Sequence, residues 1–78
     1  MNGETMLRVA SVADEATMES VRDALDQLDI DYEHVRSEPG DDRFPQTAYF
    51  YVPDDSADDV ERVLVDLSQE LGFDAEVL

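Results

Sequence analysis

The sequence predicts an α+β fold in which four antiparallel strands and two helices follow the order β-α-β-β-α-β. Three observations lead to this prediction. Residues 47–52 are almost all β-branched or aromatic, which is typical of a strand. Two other stretches repeat apolar residues at the three- and four-residue spacing of a helix. Each of those stretches is followed by a short segment that reads as a further strand.

The predicted central strand runs from Thr47 to Val52, between Pro45 and Pro53. Successive side chains of a strand point to opposite faces. We expect one face of this strand to lie against the core and the other to be open. The core face carries Ala48, Phe50 and Val52, and the open face carries Thr47, Tyr49 and Tyr51.

The two helices are predicted from their apolar stripes and their capping residues. Asp14 is the expected N-cap of the first helix, which runs to about Leu28. Ser56 is the expected N-cap of the second, with Asp59 in the position of a capping box and Gly72 at the C-terminal end. The stripes are Met18, Val21, Leu25 and Leu28 in the first helix, and Val60, Val63, Leu64, Leu67 and Leu71 in the second.

The remaining strands are predicted at residues 6–12, 30–37 and 73–78, with residues 38–43 as a turn and residues 1–5 as a flexible lead. A split β-α-β repeat of this kind is the ferredoxin-like pattern, here a single domain over residues 6–78. Right-handed crossovers give an antiparallel sheet of order 4-1-3-2 with both helices on one face. The covered face would carry Phe50, Leu7, Val9 and Val77, and the open face Tyr49, Tyr51, Arg8, Ala10 and Glu76.

The second strand is ambiguous, because a one-residue slip in register exchanges its two faces. The repeated pattern of the two halves favours Tyr32 and His34 on the covered side, which leaves Glu33 and Val35 on the open side. Arg36 would share the face of His34. We interpret His34 as a structural residue, since no Ser, Cys or second His stands in a recognisable catalytic relation to it.

The charge of the chain is its strongest compositional feature. Among 78 residues, 21 are acidic and 5 are basic, all of them arginine, for a formal net charge of −16. The acidic residues are spread along the chain, as on the surface of a halophilic protein, which must stay hydrated in molar salt. The start of the sequence lacks the basic and apolar regions of a signal peptide, so a cytoplasmic location is expected.

Several functional classes are not expected from the composition. The chain has no cysteine and one histidine, so we expect no metal site and no cofactor. No apolar run approaches the roughly 20 residues that span a bilayer, so membrane insertion is not expected. Paired tyrosines on a central strand also occur in RNA-recognition modules, but a net charge of −16 repels phosphates, and no nucleic-acid partner is expected. No nucleophile-base pair points to an enzyme.

Arg8, Tyr49 and Tyr51 are the candidate binding residues of the open face. The tyrosines either cover the sheet with their hydroxyls in water or form a dimer interface, where tyrosine is enriched. Arg8 would form a charge cluster with Glu76 and Glu33 if the three share a face. That cluster would act as a salt bridge or as a capture site for an anion.

From Ala13 to Tyr32 the chain resembles an ACT-type regulatory domain. In that family an Asp-x-Pro-Gly turn leads into a helix patterned Leu-x-x-Val-x-x-x-Leu and then into Gly-Ile-Asn-Ile. The ligand-contacting glycine of the family falls at Ala16, and the glycine before the isoleucine falls at Asp29. Residues 21–32 are also similar to the soluble N-terminal domain of a family of haloarchaeal multi-span membrane proteins. The residues that fit the ACT frame are Met18, Val21, Leu25, Leu28, Ile30, Asp31 and Tyr32.

The sequence therefore predicts a non-catalytic regulatory or interaction module from a halophile. It would act through the open sheet face, by pairing with a second copy or with another protein. The alternative is a small-molecule sensor whose unidentified ligand binds near the loop at residues 13–17, as the ACT resemblance implies.

Overall fold

A computed structural model describes residues 3–40 and 43–78 and confirms the predicted α+β order. The strands form one antiparallel sheet of order β2-β3-β1-β4, which is the predicted order read from the opposite edge. The topology is therefore ferredoxin-like. The elements are β1 (Glu4–Val12), α1 (Glu15–Gln27), β2 (Glu33–Glu38), β3 (Gln46–Pro53), α2 (Ala57–Leu71) and β4 (Asp74–Val77).

Both helices pack on the same face of the sheet. The alternation of β3 is sharp, since Ala48, Phe50 and Val52 are fully buried while Tyr49 and Tyr51 are only partly buried. One core cluster joins these residues to side chains of both helices. It consists of Leu7, Val9, Val12, Met18, Val21, Leu25, Ala48, Phe50, Val52, Val60, Leu64 and Phe73. Burying these side chains supplies most of the stabilising free energy of so small a domain.

The strand boundaries differ from the predicted ones at the start of β1 and at both ends of β2. Of the lead predicted at residues 1–5, residues 1 and 2 lie outside the described residues, while Glu4 and Thr5 extend β1 by pairing with the end of β3. β2 begins at Glu33, opposite Tyr51, and not at residue 30. In the turn predicted at residues 38–43, Glu38 belongs to β2, and residues 41 and 42 lie outside the described residues.

The two helix N-termini were predicted alike but differ. The Asp14 side chain accepts a hydrogen bond from the Thr17 backbone N–H at 2.9 Å, so the predicted cap of α1 is confirmed. Ser56 holds the N-cap position of α2, but its side chain makes no capping hydrogen bond, and that part of the prediction is wrong. The reason is the short 3-10 turn at Asp54–Ser56, which gives Ser56 a helix-like backbone (φ −106°, ψ 0°) in place of the extended cap conformation.

The C-terminal end of α2 follows its prediction. Gly72 has a φ of 81°, the left-handed conformation that favours glycine. Its N–H donates to the Ser68 carbonyl at 2.8 Å. The chain then enters β4 through the buried Phe73. Within the described ranges, neither α1 nor α2 has the length and apolarity that a helix needs to cross a membrane.

Candidate functional site on the open sheet face

On the sheet face opposite the helices, three rows of side chains run across all four strands, and Glu4 and Pro53 form a shorter row on β1 and β3. Strand pairing fixes the members of each row, because residues directly opposite one another lie on the same face. We name the rows by their character. The central row is Arg36, Tyr49, Arg8 and Glu76; the apolar row is Glu33, Tyr51, Met6 and Leu78; the acidic row joins the pairs Glu38–Thr47 and Ala10–Asp74 across the register irregularity that follows Val9.

The central row is held by two interactions between neighbouring strands. Arg8 donates to the Glu76 carboxylate at 2.6 Å, and the two side chains are 44% and 53% exposed. On the other side of the row, the guanidinium carbon of Arg36 lies 4.8 Å from the centre of the Tyr49 ring, within cation-π range. Tyr49 therefore stands between two arginines, one on each neighbouring strand.

The predicted candidate residues Arg8, Tyr49 and Tyr51 lie together on this face. Arg8 is directly opposite Tyr49, and Tyr51 is the next residue of β3 on the same side. The predicted salt bridge of Arg8 is confirmed with Glu76. Glu33 shares the face but stands opposite Tyr51, with β3 between it and Arg8, so the predicted three-residue cluster is only a pair.

Arg36 is the residue that sequence reasoning assigned to the wrong face. His34 pairs with Phe50 on the covered side, as predicted, but a β-bulge at Val35 shifts the register of β2 by one residue. Arg36 consequently pairs with Tyr49 and points to the open side, while Ser37 takes the covered side. A bulge adds a residue without a fixed sequence signal when no glycine marks it, so alternation alone does not find it.

The open face has a different charge balance from the rest of the molecule. Two of the five arginines lie in its central row, flanking an aromatic ring, in a chain with a formal net charge of −16. Among residues 3–40 and 43–78 the ion pairs are Arg8–Glu76 and Arg62–Asp59, and the second is a loose, exposed contact at 3.9 Å on α2. The centre of the face is thus a cationic and aromatic strip within an acidic surface.

The apolar row adds side chains that a single chain does not fully cover. Tyr51 and Met6 are directly opposite each other and partly exposed. Leu78, whose N–H donates to the Met6 carbonyl at 2.9 Å, is 60% exposed, and the bulge residue Val35 is 39% exposed. Aromatic, methionine and arginine side chains, which this face combines, are the residue types enriched at protein interfaces.

His34 is packed and hydrogen-bonded, as a structural histidine should be. Its ring stacks on Phe50 with centroids 4.8 Å apart. Its Nε2 lies 2.8 Å from the hydroxyl oxygen of Ser37, which the expected alternation of β2 had placed on the opposite face. The bulge brings them together by turning Ser37 to the covered side. Among the described residues no group orients the other ring nitrogen, so this pair lacks the third member of a hydrolytic triad.

The loop at residues 13–17 is occupied with capping its own helix. The Asp14 carboxylate accepts from both the backbone N–H and the hydroxyl of Thr17, at 2.9 and 2.8 Å. The backbone hydrogen bond, followed by the hydroxyl one, lowers the pKa of Asp14. Clefts of about 390 Å³ lie elsewhere, one between α1 and α2 beside Ala24 and Leu67, and one at the N-terminal end of β1.

In the described part of the chain, no group of three or more His, Asp or Glu side chains is arranged to hold a metal ion. No protein family, curated protein or solved structure matches the chain.

Proposed function

We propose that this protein is a non-catalytic interaction module of regulatory type, and that it binds a protein surface through the open sheet face. The observation that carries the proposal is the central row, in which Tyr49 is flanked by Arg8 and Arg36. A strip of this composition supplies both the aromatic contact area and the directed charge of an interface.

The central row is held in place before any partner arrives. Arg8 is fixed by Glu76 and Arg36 rests on the Tyr49 ring, so two long side chains have already lost part of their rotational freedom. Ordering such side chains on binding costs about 0.5–1.5 kcal/mol each. Preordering them in the free protein reduces that cost and supports a role in binding.

The acidic surface around the strip supports a module that works in concentrated salt. At about 1 M salt the Debye length is roughly 3 Å, so the long-range repulsion of a −16 chain is screened while direct contacts persist. A halophilic setting therefore fits an interface made of touching side chains. A cytoplasmic location is part of the same proposal.

The small-molecule alternative has weaker support. At the loop 13–17, the Asp14 carboxylate already accepts hydrogen bonds from the backbone N–H and the hydroxyl of Thr17. Ala16 stands where the ACT resemblance implies a ligand-contacting glycine. We therefore place recognition on the sheet face.

The proposal is tested by capture from a lysate of the source organism in molar KCl. The wild type is compared with Tyr49→Asp/Tyr51→Asp and with Val65→Asp/Leu71→Asp. The second pair adds the same charge to exposed apolar residues of α2, which are 37% and 39% exposed. We expect a protein, either this chain or another, to be retained by the wild type and the α2 variant and lost from the tyrosine variant.

Circular dichroism shows whether the tyrosine variant is folded, and Tyr49→Ser/Tyr51→Ser replaces it if it is not. The proposal is overturned if folded wild type and folded tyrosine variant retain the same proteins in the same amounts.

A further inference from the structure

Resting on the proposed function, we infer that the occupant of the open face is a second copy of this chain. The two sheets pack face to face about a twofold axis that runs parallel to the strands, between β3 and β1. The inference comes from the order of charges along the central row.

A twofold axis in this position reverses the strand order between the two copies. β2 of one copy lies over β4 of the other, and β3 lies over β1, while each row stays opposite the same row. Sheets packed in this way are about 10 Å apart with their strands within about 30° of each other. Side chains in one row therefore meet the same row read in the opposite direction.

The central row is complementary to itself when it is reversed. Arg36 of one copy faces Glu76 of the second copy, and Tyr49 faces Arg8 of the second copy. Each Glu76 then lies between two guanidinium groups, that of its own Arg8 at 2.6 Å and that of the facing Arg36. Bridging two arginines in this way uses both oxygens of the carboxylate.

The apolar row is matched in the same arrangement. Tyr51 of one copy faces Met6 of the second, which is a sulfur-aromatic pairing. Both side chains are partly exposed in the single chain, and both become covered. Glu33 faces the exposed Leu78 at the outer edge of the sheet, where it remains in contact with water.

The other in-plane axis gives the opposite result. An axis perpendicular to the strands, through the central row, places Arg36 on Arg36 and Glu76 on Glu76. Like charges in direct contact across an interface are unfavourable. The charge order therefore selects the axis parallel to the strands.

The size of the face and its outer row set the strength of the dimer. Four strands about 4.8 Å apart and roughly six residues long give on the order of 400 Å² per face in projection. Two such faces approach the roughly 1,000 Å² of a specific interface, so the dimer is weak and depends on concentration. In the acidic row, Glu38 faces Asp74 of the second copy. This repulsion adds to that between two chains of net charge −16, so the dimer is stronger in molar salt than in dilute salt.

The test is charge exchange across the interface, measured by sedimentation in molar KCl at about 1 µM to 1 mM protein. Arg36→Glu and Glu76→Arg each break both copies of the pair, and each is expected to weaken the dimer about tenfold or more. An equimolar mixture of the two variants restores both pairs, because the glutamate introduced at position 36 of one chain meets the arginine introduced at position 76 of the other. We expect the mixture to associate more tightly than either variant alone, though less tightly than the wild type, because Glu76→Arg also removes the ion pair with Arg8 of the same chain.

Arg62→Glu is the matched control, since it changes the charge equally at an exposed position on α2. The chain has no cysteine, so Glu61→Cys on α2 gives a single labelling site for energy transfer between the mixed variants. Arg36 and Glu76 are both exposed, so the Arg36→Glu and Glu76→Arg variants should fold.

The inference is overturned if the mixture associates no better than either variant alone, or if the wild type is monomeric throughout. If the wild type is monomeric and its open face still retains a different protein from the lysate, the dimer is ruled out and the proposed function stands. If that face retains nothing, the proposed function fails as well.

Discussion

The two faces of the sheet are made by the same strands but are completed in different ways. On the covered face, Ala48, Phe50 and Val52 of β3 have no exposed surface, because α1 and α2 close over them. On the open face, their neighbours Tyr49 and Tyr51 remain partly exposed and are arranged with arginine, methionine and acidic side chains.

The difference separates the side chains that stabilise the folded chain from those on which the proposed recognition depends. Apolar burial on the covered face stabilises the folded monomer, and each side chain there is fixed by shape. Side chains on the open face contribute less to folding, so their chemistry is free to suit a partner. The aromatic and cationic strip is therefore more informative about function than the core is.

Truncating adjacent residues of β3 gives the largest contrast between the faces. Phe50→Ala removes the largest fully buried side chain, on which Tyr32 and His34 also pack, and should cost about 3–5 kcal/mol in free energy of unfolding. Tyr51→Ala, one residue away, should cost less than about 1.5 kcal/mol. Denaturant unfolding in molar salt at low protein concentration measures both. Equal costs would contradict the division between a covered and an open face.

Most of the covered face could be predicted from the sequence because the apolar periodicity of β3, of β1 up to Val9 and of both helices is regular. Phe50, Leu7 and Val9 alternate with polar or partly polar neighbours, and the helix stripes repeat at the expected spacing. Packing then leaves one consistent arrangement, which is the observed one. Arg8, Tyr49 and Tyr51 were placed on the open face by the same alternation.

The face taken by Arg36 and the end of β1 could not be predicted, because they depend on backbone irregularities that the residue types do not reveal. The bulge at Val35 moves Arg36 onto the open face, and no glycine marks it. Ser11 adopts a φ of 61° at the β1 irregularity, again without a glycine. Both irregularities occur where β3 imposes its register on a neighbouring strand, and pairing of that kind is a long-range property.

The two helices that cover the sheet have unequal N-terminal caps, and replacing each capping residue with alanine should reveal the difference. Asp14→Ala removes the acceptor for the Thr17 N–H and should lower the Tm by on the order of 5 °C. Ser56→Ala removes no capping hydrogen bond and should change the Tm by less than about 2 °C. Thermal unfolding followed by circular dichroism compares them, and equal losses would show that Ser56 caps α2 in solution.

The Asp14 contribution should also depend on pH. Its pKa is lowered in the folded state by the hydrogen bonds from Thr17, so the stability it provides is present above the unfolded pKa, near 3.8. That stability is lost as the pH falls through the lower folded value. Asp14→Asn keeps a capping oxygen but does not titrate, so the wild type should lose stability relative to it in this acid range.

The smallest effect is expected at the margin of the covered face, where Tyr32 precedes β2. Its ring packs edge-on against Phe50 with centroids 6.1 Å apart, and its hydroxyl donates to Asp26 at 2.8 Å. Tyr32→Phe keeps the ring contact and should cost about 1 kcal/mol or less.

Burial, followed by the hydrogen bond to Asp26, raises the pKa of Tyr32. The contribution of the protonated phenol to stability is therefore complete below the unfolded pKa near 10.0 and is lost as the pH rises through the folded value. Ultraviolet titration of the wild type and Tyr32→Phe should differ by one phenol that ionises above 10.0. A difference spectrum that appears below that value would mean that solvent reaches the Tyr32 hydroxyl freely. Tyr32 would then not belong to the covered face.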